Sequence, residues 1–303
     1  MRLKLLTLFF FAFITLTNAQ EHKTITYFTN DSTKLELDLF LPKKQGKEKL
    51  PLLIHVHGGG FAGGERIWGH TIAKHAASQG YAAASISYTL YMKDKNFSCN
   101  GILSEKIKAI QIAVNQLWQA TLFFNNNSEK YNIDTNKIFI SGSSAGAETA
   151  LHAAFWDRKI MTIYPETLPE DFQYAGVISG AGAIMDLNLI TKKNLIPVQL
   201  FHGSCDTTVP YATAAHHFCP ANSSGWLMLF GSLSIFEHIE KLNGSCHLTT
   251  YCGGGHEYSD ELFAKNPQSV VDFMNRTLQN KKELTHIIVR GKDCKTGTFD
   301  FCN

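Results

Sequence analysis

The 303-residue sequence predicts an α/β chain: one predominantly parallel, twisted sheet of about eight strands with helices on both faces. Three observations lead there. From Pro51 onward, short continuously apolar runs (LLIHV, YAAASIS, KIFIS, GVIS and PVQLF) alternate with longer stretches of helical period. Strands of a parallel sheet read this way because crossover helices cover both of their faces. Residues 104–118 place Ile107, Ile110, Val114 and Leu117 on one helical face, with Ser104 positioned to cap the start. No repeat or low-complexity linker interrupts the alternation, and right-handed crossovers stack such units into one sheet, so 20–303 reads as a single domain.

In chain order, the first element is a secretory signal. Arg2 and Lys4 precede an apolar run from Leu5 to Leu16, and the segment closes on Thr17-Asn18-Ala19. The run is shorter than the roughly 20 residues of a membrane span, so cleavage after Ala19 and a secreted or periplasmic product without stable membrane insertion are expected. Two alternating segments, 24–28 and 35–41, flank the turn-like Thr29-Asn30-Asp31-Ser32 and read as an antiparallel hairpin. Residues 123–132, FFNNNSEKYN, read as a polar loop before a strand at Ile138. The Gly- and Ser-rich segment 216–236, with its apolar WLMLF, fits a cap over a site and a buried connection equally well. The last clear helix is 267–278.

Charge narrows the partners. The chain has 28 basic and 26 acidic residues, and loss of Arg2 and Lys4 brings the two into balance, which makes nucleic acid and anionic membrane poor partners. Seven cysteines behind an export signal suggest disulfides with one thiol left over. Cys205 with Cys219 and Cys294 with Cys302 are the closest pairs in sequence that do not share a strand. Cys246 and Cys252 flank the strand HLTTY and stand too far apart to bridge. No CxxC pair marks a zinc site.

Chemistry concentrates at four strand ends. KIFIS runs into Gly142-Ser143-Ser144-Ala145-Gly146, a GxSxG that opens the apolar helix AETALHAAF. A sharp turn there projects the Ser144 hydroxyl from the sheet, and the flanking glycines remove side chains that would collide. A serine is a weak nucleophile until a base takes its proton and a third group orients that base. Asp206 follows the strand PVQLF and His256 follows HLTTY, so serine, acid and histidine come in the chain order this architecture uses. His57-Gly58-Gly59-Gly60-Phe61 follows LLIHV, and the amides of Gly59 and Gly60, joined by that of Ala145, suit an oxyanion hole. Taken singly, each has a plainer reading: a turn aspartate, one of 13 histidines, a flexible glycine turn. HGGG lacks the lysine of a P-loop and does not continue as GxGxxG. His152 reads as a structural helix-face residue. The combination in one required order carries more weight than any member.

These motifs resemble those of the carboxylesterases of the α/β-hydrolase superfamily, the group related to hormone-sensitive lipase and to secreted bacterial feruloyl and acetyl-xylan esterases. The likeness spans most of 52–273 and rests on HGGGF at 57–61, SISY at 85–88, GSSAG at 142–146, HGSCDTTVP at 202–210 and GGGHEY at 253–258. It implies an α/β-hydrolase fold and a triad of Ser144, Asp206 and His256, with Gly59, Gly60 and Ala145 as oxyanion donors. It further implies cofactor- and metal-free acyl transfer on carboxylic esters, and the export signal adds short-chain, aromatic or polysaccharide-linked esters as the expected substrates. Phe61, Trp68, Tyr88 and Tyr211 lie near motif ends as candidate pocket residues, with a core role the competing reading for each, and Phe155 reads as core. The sequence departs from the group at Cys205 beside the acid, in a long 216–236 segment, in a cysteine-containing tail from Lys292, and in lacking N-terminal cap helices. A peptidase or lipase of the same fold and a catalytically silent binding protein are the competing readings.

Overall fold

The computed structural model describes residues 22–43, 46–291, 294 and 299–303. The signal segment expected at 1–19 lies outside them. The strands are β1 (His22–Thr29), β2 (Lys34–Phe40), β3 (Leu50–Val56), β4 (Ala82–Ile86), β5 (Ile133–Ser143), β6 (Gly176–Gly180), β7 (Ala183–Ile184), β8 (Val198–Gly203), β9 (Thr213–Ala215), β10 (Met228–Gly231), β11 (Cys246–Tyr251) and β12 (Leu284–Val289). Nine of them form one sheet in the order β1-β2-β4-β3-β5-β6-β8-β11-β12. β1 runs antiparallel to β2, and β2 to β4; every other pairing in this sheet is parallel.

Alternation along each strand divides the core. On one face Leu52, Ile54, Ala82, Ala84 and Ile140 meet the helices Leu103–Asn126, Ala145–Phe155 and Ser232–Lys241. On the other, Leu53, Ala83, Phe139, Ile178 and Phe201 meet His70–Ser78 and Pro267–Leu278. Helices therefore cover both faces, as the continuous apolar runs require.

The secondary structure differs from the sequence expectations in four places. The sheet has nine strands rather than about eight because LTHIIV pairs in parallel with β11 as an edge strand, mostly exposed and so without a buried-strand signature. Residues 123–126 are not loop: the helix continues from Leu103 to Asn126 because Phe124 is fully buried while Asn126 is exposed. A short helix, Ser128–Tyr131, follows, so most of the expected loop is helical. That long helix starts after Ile102 without a side-chain cap, so Ser104 lies inside it rather than at its cap. The segment 216–236, expected as a cap or a buried connection, is more than a plain connection. It contributes β10, which with β7 and β9 makes a small antiparallel sheet beside the main one, and then enters the helix Ser232–Lys241.

The cysteines pair Cys99–Cys219, Cys205–Cys294 and Cys252–Cys302, with Cα separations of 5.2, 5.3 and 5.6 Å, and Cys246 is a buried thiol on β11. The expected pairs Cys205–Cys219 and Cys294–Cys302 do not form. Cys205 and Cys252 follow the adjacent strands β8 and β11, and each takes a cysteine of the C-terminal tail. Sequence proximity was the wrong guide because spatial order in a parallel sheet is set by crossovers. Among the described residues no helix is long and apolar enough to cross a membrane.

Candidate active site

β5 ends at Ser143 and the helix Ala145–Phe155 begins two residues later, leaving Ser144 alone in the turn at φ 52°, ψ −124°. A non-glycine residue in that region is strained, and the packing that holds it is close. A Cβ on Gly142 would stand 2.2 Å from the Gly146 carbonyl oxygen, and one on Gly146 would stand 2.1 Å from that of Val56. The glycines of GSSAG are therefore required by the crossing of helix over strand. Ser144 N–H donates to Gly180 O at 2.8 Å, fixing the turn to β6.

Ser144 Oγ lies 2.8 Å from His256 Nε2, and His256 Nδ1 lies 2.6 Å from Asp206 Oδ2. The carboxylate can only accept, so Nδ1 carries the proton and Nε2 is free to receive the Ser144 hydroxyl. Asp206 is fully buried and held on every side. Thr208 N–H and Val209 N–H donate to Oδ1 at 2.7 and 3.0 Å, and His202 Nε2 lies 3.1 Å from Oδ2. Burial pushes the Asp206 carboxyl upward, but the hydrogen bonds from His202 and His256 outweigh it and hold the group well below the usual carboxylate range. His202 is a member the triad pattern did not single out. Its Nδ1 accepts from Ser232 Oγ at 2.9 Å, which directs Nε2–H to the same oxygen that His256 uses. The signal was its place four residues before Asp206 on β8.

A cavity of about 840 Å³ opens above Ser144. Gly59, Gly60 and Ala145 line it together with Ser144 and His256. Gly59 and Gly60 take φ of 109° and 61°, and Gly59 has no room for a side chain, since a Cβ there would lie 2.2 Å from Gly63 O. Of the four aromatic candidates for the pocket, Trp68 lines it, 59% exposed at the rim. The other three are corrected to core. Phe61 is fully buried against Phe97 and Tyr88, and Tyr211 is buried with its hydroxyl 2.5 Å from Thr250 Oγ1. Tyr88 stacks on His57 at 4.4 Å and donates to the carbonyls of His57 and Gly58 at 3.1 and 3.3 Å, so it braces the glycine loop from behind. Phe155 is core, and His152 is buried, with Nδ1 2.7 Å from Glu148 O.

The remaining walls come from residues 94–98, which no local motif marked, and from the start of the 216–236 segment, which the sequence offered as a cap. Phe97 and Ser98 face the cavity from one side and His216 and His217 from another, and the Cys99–Cys219 disulfide ties the two segments together. Glu148, on the helix behind Ser144, completes the floor. Away from the cavity, His22, Asp38 and His70 bring potential metal-ligand atoms within 4.8 Å of one another. Arg66 Nε, 3.0 Å from Asp38 Oδ2, and Thr24, donating to Oδ1 at 2.7 Å, already engage that carboxylate, and the guanidinium disfavours a second cation.

Comparison with known proteins gives this geometry its family. The sequence profile of BD-FAE matches residues 37–194, just over half of the chain, from β2 through the glycine loop and the Ser144 turn to the approach to β8. The chain belongs to the BD-FAE family. Among curated relatives of this BD-FAE chain, gut esterase 1 of Caenorhabditis elegans is 37% identical over 117 residues, which is 37% of this chain and 19% of that protein. Isoprenylcysteine alpha-carbonyl methylesterase of Arabidopsis thaliana is 28% identical over 131 residues, 43% of this chain and 27% of that protein. The chain thus spans a quarter or less of the first relative and little more of the second. Solved structures of Thermogutta terrifontis esterase 2 share the α/β-hydrolase fold. The form phosphorylated by paraoxon has a TM-score of 0.64 at 16% identity over 85% of this chain and 94% of its own. The propionate-bound form has a TM-score of 0.62 at 16% identity, over 86% and 94%.

Proposed function

We propose that this BD-FAE chain is a secreted serine carboxylesterase that hydrolyses short-chain or aromatic esters through an acyl-enzyme on Ser144. One observation carries the reading: a serine at a strained strand-to-helix turn is hydrogen bonded to a histidine that a buried aspartate orients, at the floor of an open cavity. In the first step His256 Nε2 takes the Ser144 proton as Oγ attacks the ester carbonyl, and Asp206 stabilises the imidazolium. The amides of Gly59, Gly60 and Ala145 receive the oxyanion, each donor supporting about 3 to 4 kcal/mol of transition-state stabilisation. His256 then gives the proton to the leaving alcohol, and water activated by the same nitrogen releases the acid. No step needs a metal or an organic cofactor.

The names of the relatives support ester hydrolysis, and the propionate- and butyrate-bound forms of the structural neighbour support short acyl groups. Three disulfides support residence in an oxidising compartment, in keeping with an export signal at 1–19. The test is hydrolysis of 4-nitrophenyl acetate, butyrate and a long-chain ester, and of methyl ferulate, by the purified protein beside Ser144→Ala. Turnover of short or aromatic esters that falls about a thousandfold or more in the variant is the expected result. Equal inactivity of both proteins on every ester overturns the proposal.

A further inference from the structure

The cavity lining carries polar groups that the acyl-transfer steps do not use. Glu148 stands one turn along the helix from Ser144, and His216 follows β9; they are 1% and 2% exposed, and both line the cavity. Glu148 Oε1 and His216 Nδ1 have no hydrogen-bond partner among the described residues. The other buried side-chain atoms without partners among the described residues, such as Gln199 Oε1 and His247 Nδ1, lie away from the cavity. A native fold leaves few such atoms, so two in residues lining one cavity call for an explanation.

The wall at His216 is built to be rigid. His216 N–H donates to Leu227 O at 2.8 Å, its ring meets Phe97 edge-on at 5.1 Å, and the Cys99–Cys219 disulfide holds the two segments together. Both groups are held uncharged. Burial pushes the Glu148 carboxyl up to about 8, with Lys106 pulling it back and Asp206 adding to the rise, so near neutrality it is largely protonated. Burial, chiefly, keeps the His216 imidazole uncharged. Lys106, the nearby cation, spends a proton on Gly225 O at 2.8 Å. A neutral carboxyl and a neutral imidazole each offer one donor and one acceptor, and a hydroxyl group needs one of each.

We propose that Glu148 and His216 form a hydroxyl-recognition subsite, so that this chain prefers esters bearing a free hydroxyl near the scissile carbonyl. This rests on the esterase reading of Ser144. A ligand hydroxyl seated against the two residues can supply bonds that an aliphatic chain cannot. A site that hydrogen-bonds a substrate hydroxyl discriminates strongly against the analogue lacking it, because its own polar groups are left unpaired.

The experiment is a comparison of kcat/KM on matched esters, with a separate arm for each place the hydroxyl could be. The acyl arm sets 4-nitrophenyl butyrate against its 2- and 3-hydroxybutyrate counterparts. The alcohol arm sets ethyl butyrate against 2-hydroxyethyl and 2,3-dihydroxypropyl butyrate. The expected result is a preference of about tenfold or more for the hydroxylated member in one arm, expressed mainly in KM. In Glu148→Leu and in His216→Phe that preference falls to near unity, and Glu148→Gln, which keeps a donor and an acceptor, retains part of it. Thermal unfolding of each variant identifies any that fails to fold, and the wild-type ratios decide the matter without them. Ester turnover with no preference in either arm overturns the subsite and leaves the esterase reading standing. A preference that both substitutions leave intact also overturns it. No turnover of any ester overturns the esterase reading itself.

Discussion

Ser144 sits at φ 52°, ψ −124°, a conformation that costs about 1–3 kcal/mol for a residue with a side chain. Glycine reaches positive φ at little steric cost. Ser144→Gly and Ser144→Ala both lose the hydroxyl and its bond to His256, but the first also relieves the strain. Calorimetry should therefore give Ser144→Gly the higher melting temperature of the two; equal values would mean the turn is not strained. Glu148 makes a second prediction at this scale. Its carboxyl is raised from 4.5 to about 8, so between those values the native state holds a proton that the unfolded chain has released. Stability then falls as pH rises across that window and levels off above it. Glu148→Gln carries no such proton. Its melting temperature relative to wild type should climb from pH 5 to pH 8, by a few degrees for a chain of this size, and a difference that stays flat with pH would refute the buried-acid assignment. Asp206 is the opposite case, held low by His202 and His256. Asp206→Asn should cut kcat about ten-thousandfold, since an amide fails to fix the Nδ1–H tautomer of His256.

At the level of elements, the cavity depends on segments joined across the sequence. The Cys99–Cys219 disulfide closes a long loop, with Phe97 and Ser98 on one side of it and His216 and His217 on the other. Replacing both cysteines by serine should lower stability by about 2–4 kcal/mol in denaturant titrations. It should also raise KM more than it lowers kcat, because the wall loosens while Ser144, His256 and Asp206 keep their own supports on β5, β11 and β8. An unchanged KM would show that the wall is held by packing alone. The turn at Ser144 depends on glycine in a different way. A Cβ at 146 meets the backbone of Val56, which cannot yield as a side chain would. Gly146→Val should therefore displace the helix and abolish turnover even where the chain still folds, as circular dichroism beside an esterase assay would show.

For the molecule as a whole, one sheet positions everything. Ser144, Asp206 and His256 follow β5, β8 and β11, and the glycine loop follows β3. All four ends lie at the same edge because these strands are parallel. Helices on both faces bury the sheet, and the site inherits its precision from that packing. Leu53, fully buried between the sheet and the helices of one face, tests the point. Leu53→Ala should cost about 2–5 kcal/mol and lower the melting temperature, while kcat/KM below the transition stays within a few-fold of wild type.

The sequence by itself determined the class of the sheet, because continuous apolar runs report burial on both faces. It also determined the Ser144, Asp206 and His256 positions as candidates, because GxSxG and the two strand-end residues are local patterns in a required order. What only the tertiary structure decided is everything set by spatial neighbours distant in sequence. The disulfide partners follow strand order rather than chain order. Phe61, Tyr88 and Tyr211 turned inward because core and pocket demand the same apolar side chains. The edge strand β12 was silent because four of its six residues are exposed and none is buried. His216 joins the cavity wall because the small β7-β10-β9 sheet and the Cys99–Cys219 bond carry it there. Local patterns are written by the backbone's own periodicity and turn geometry. Contacts between distant segments are written by packing, and no short stretch of sequence records them.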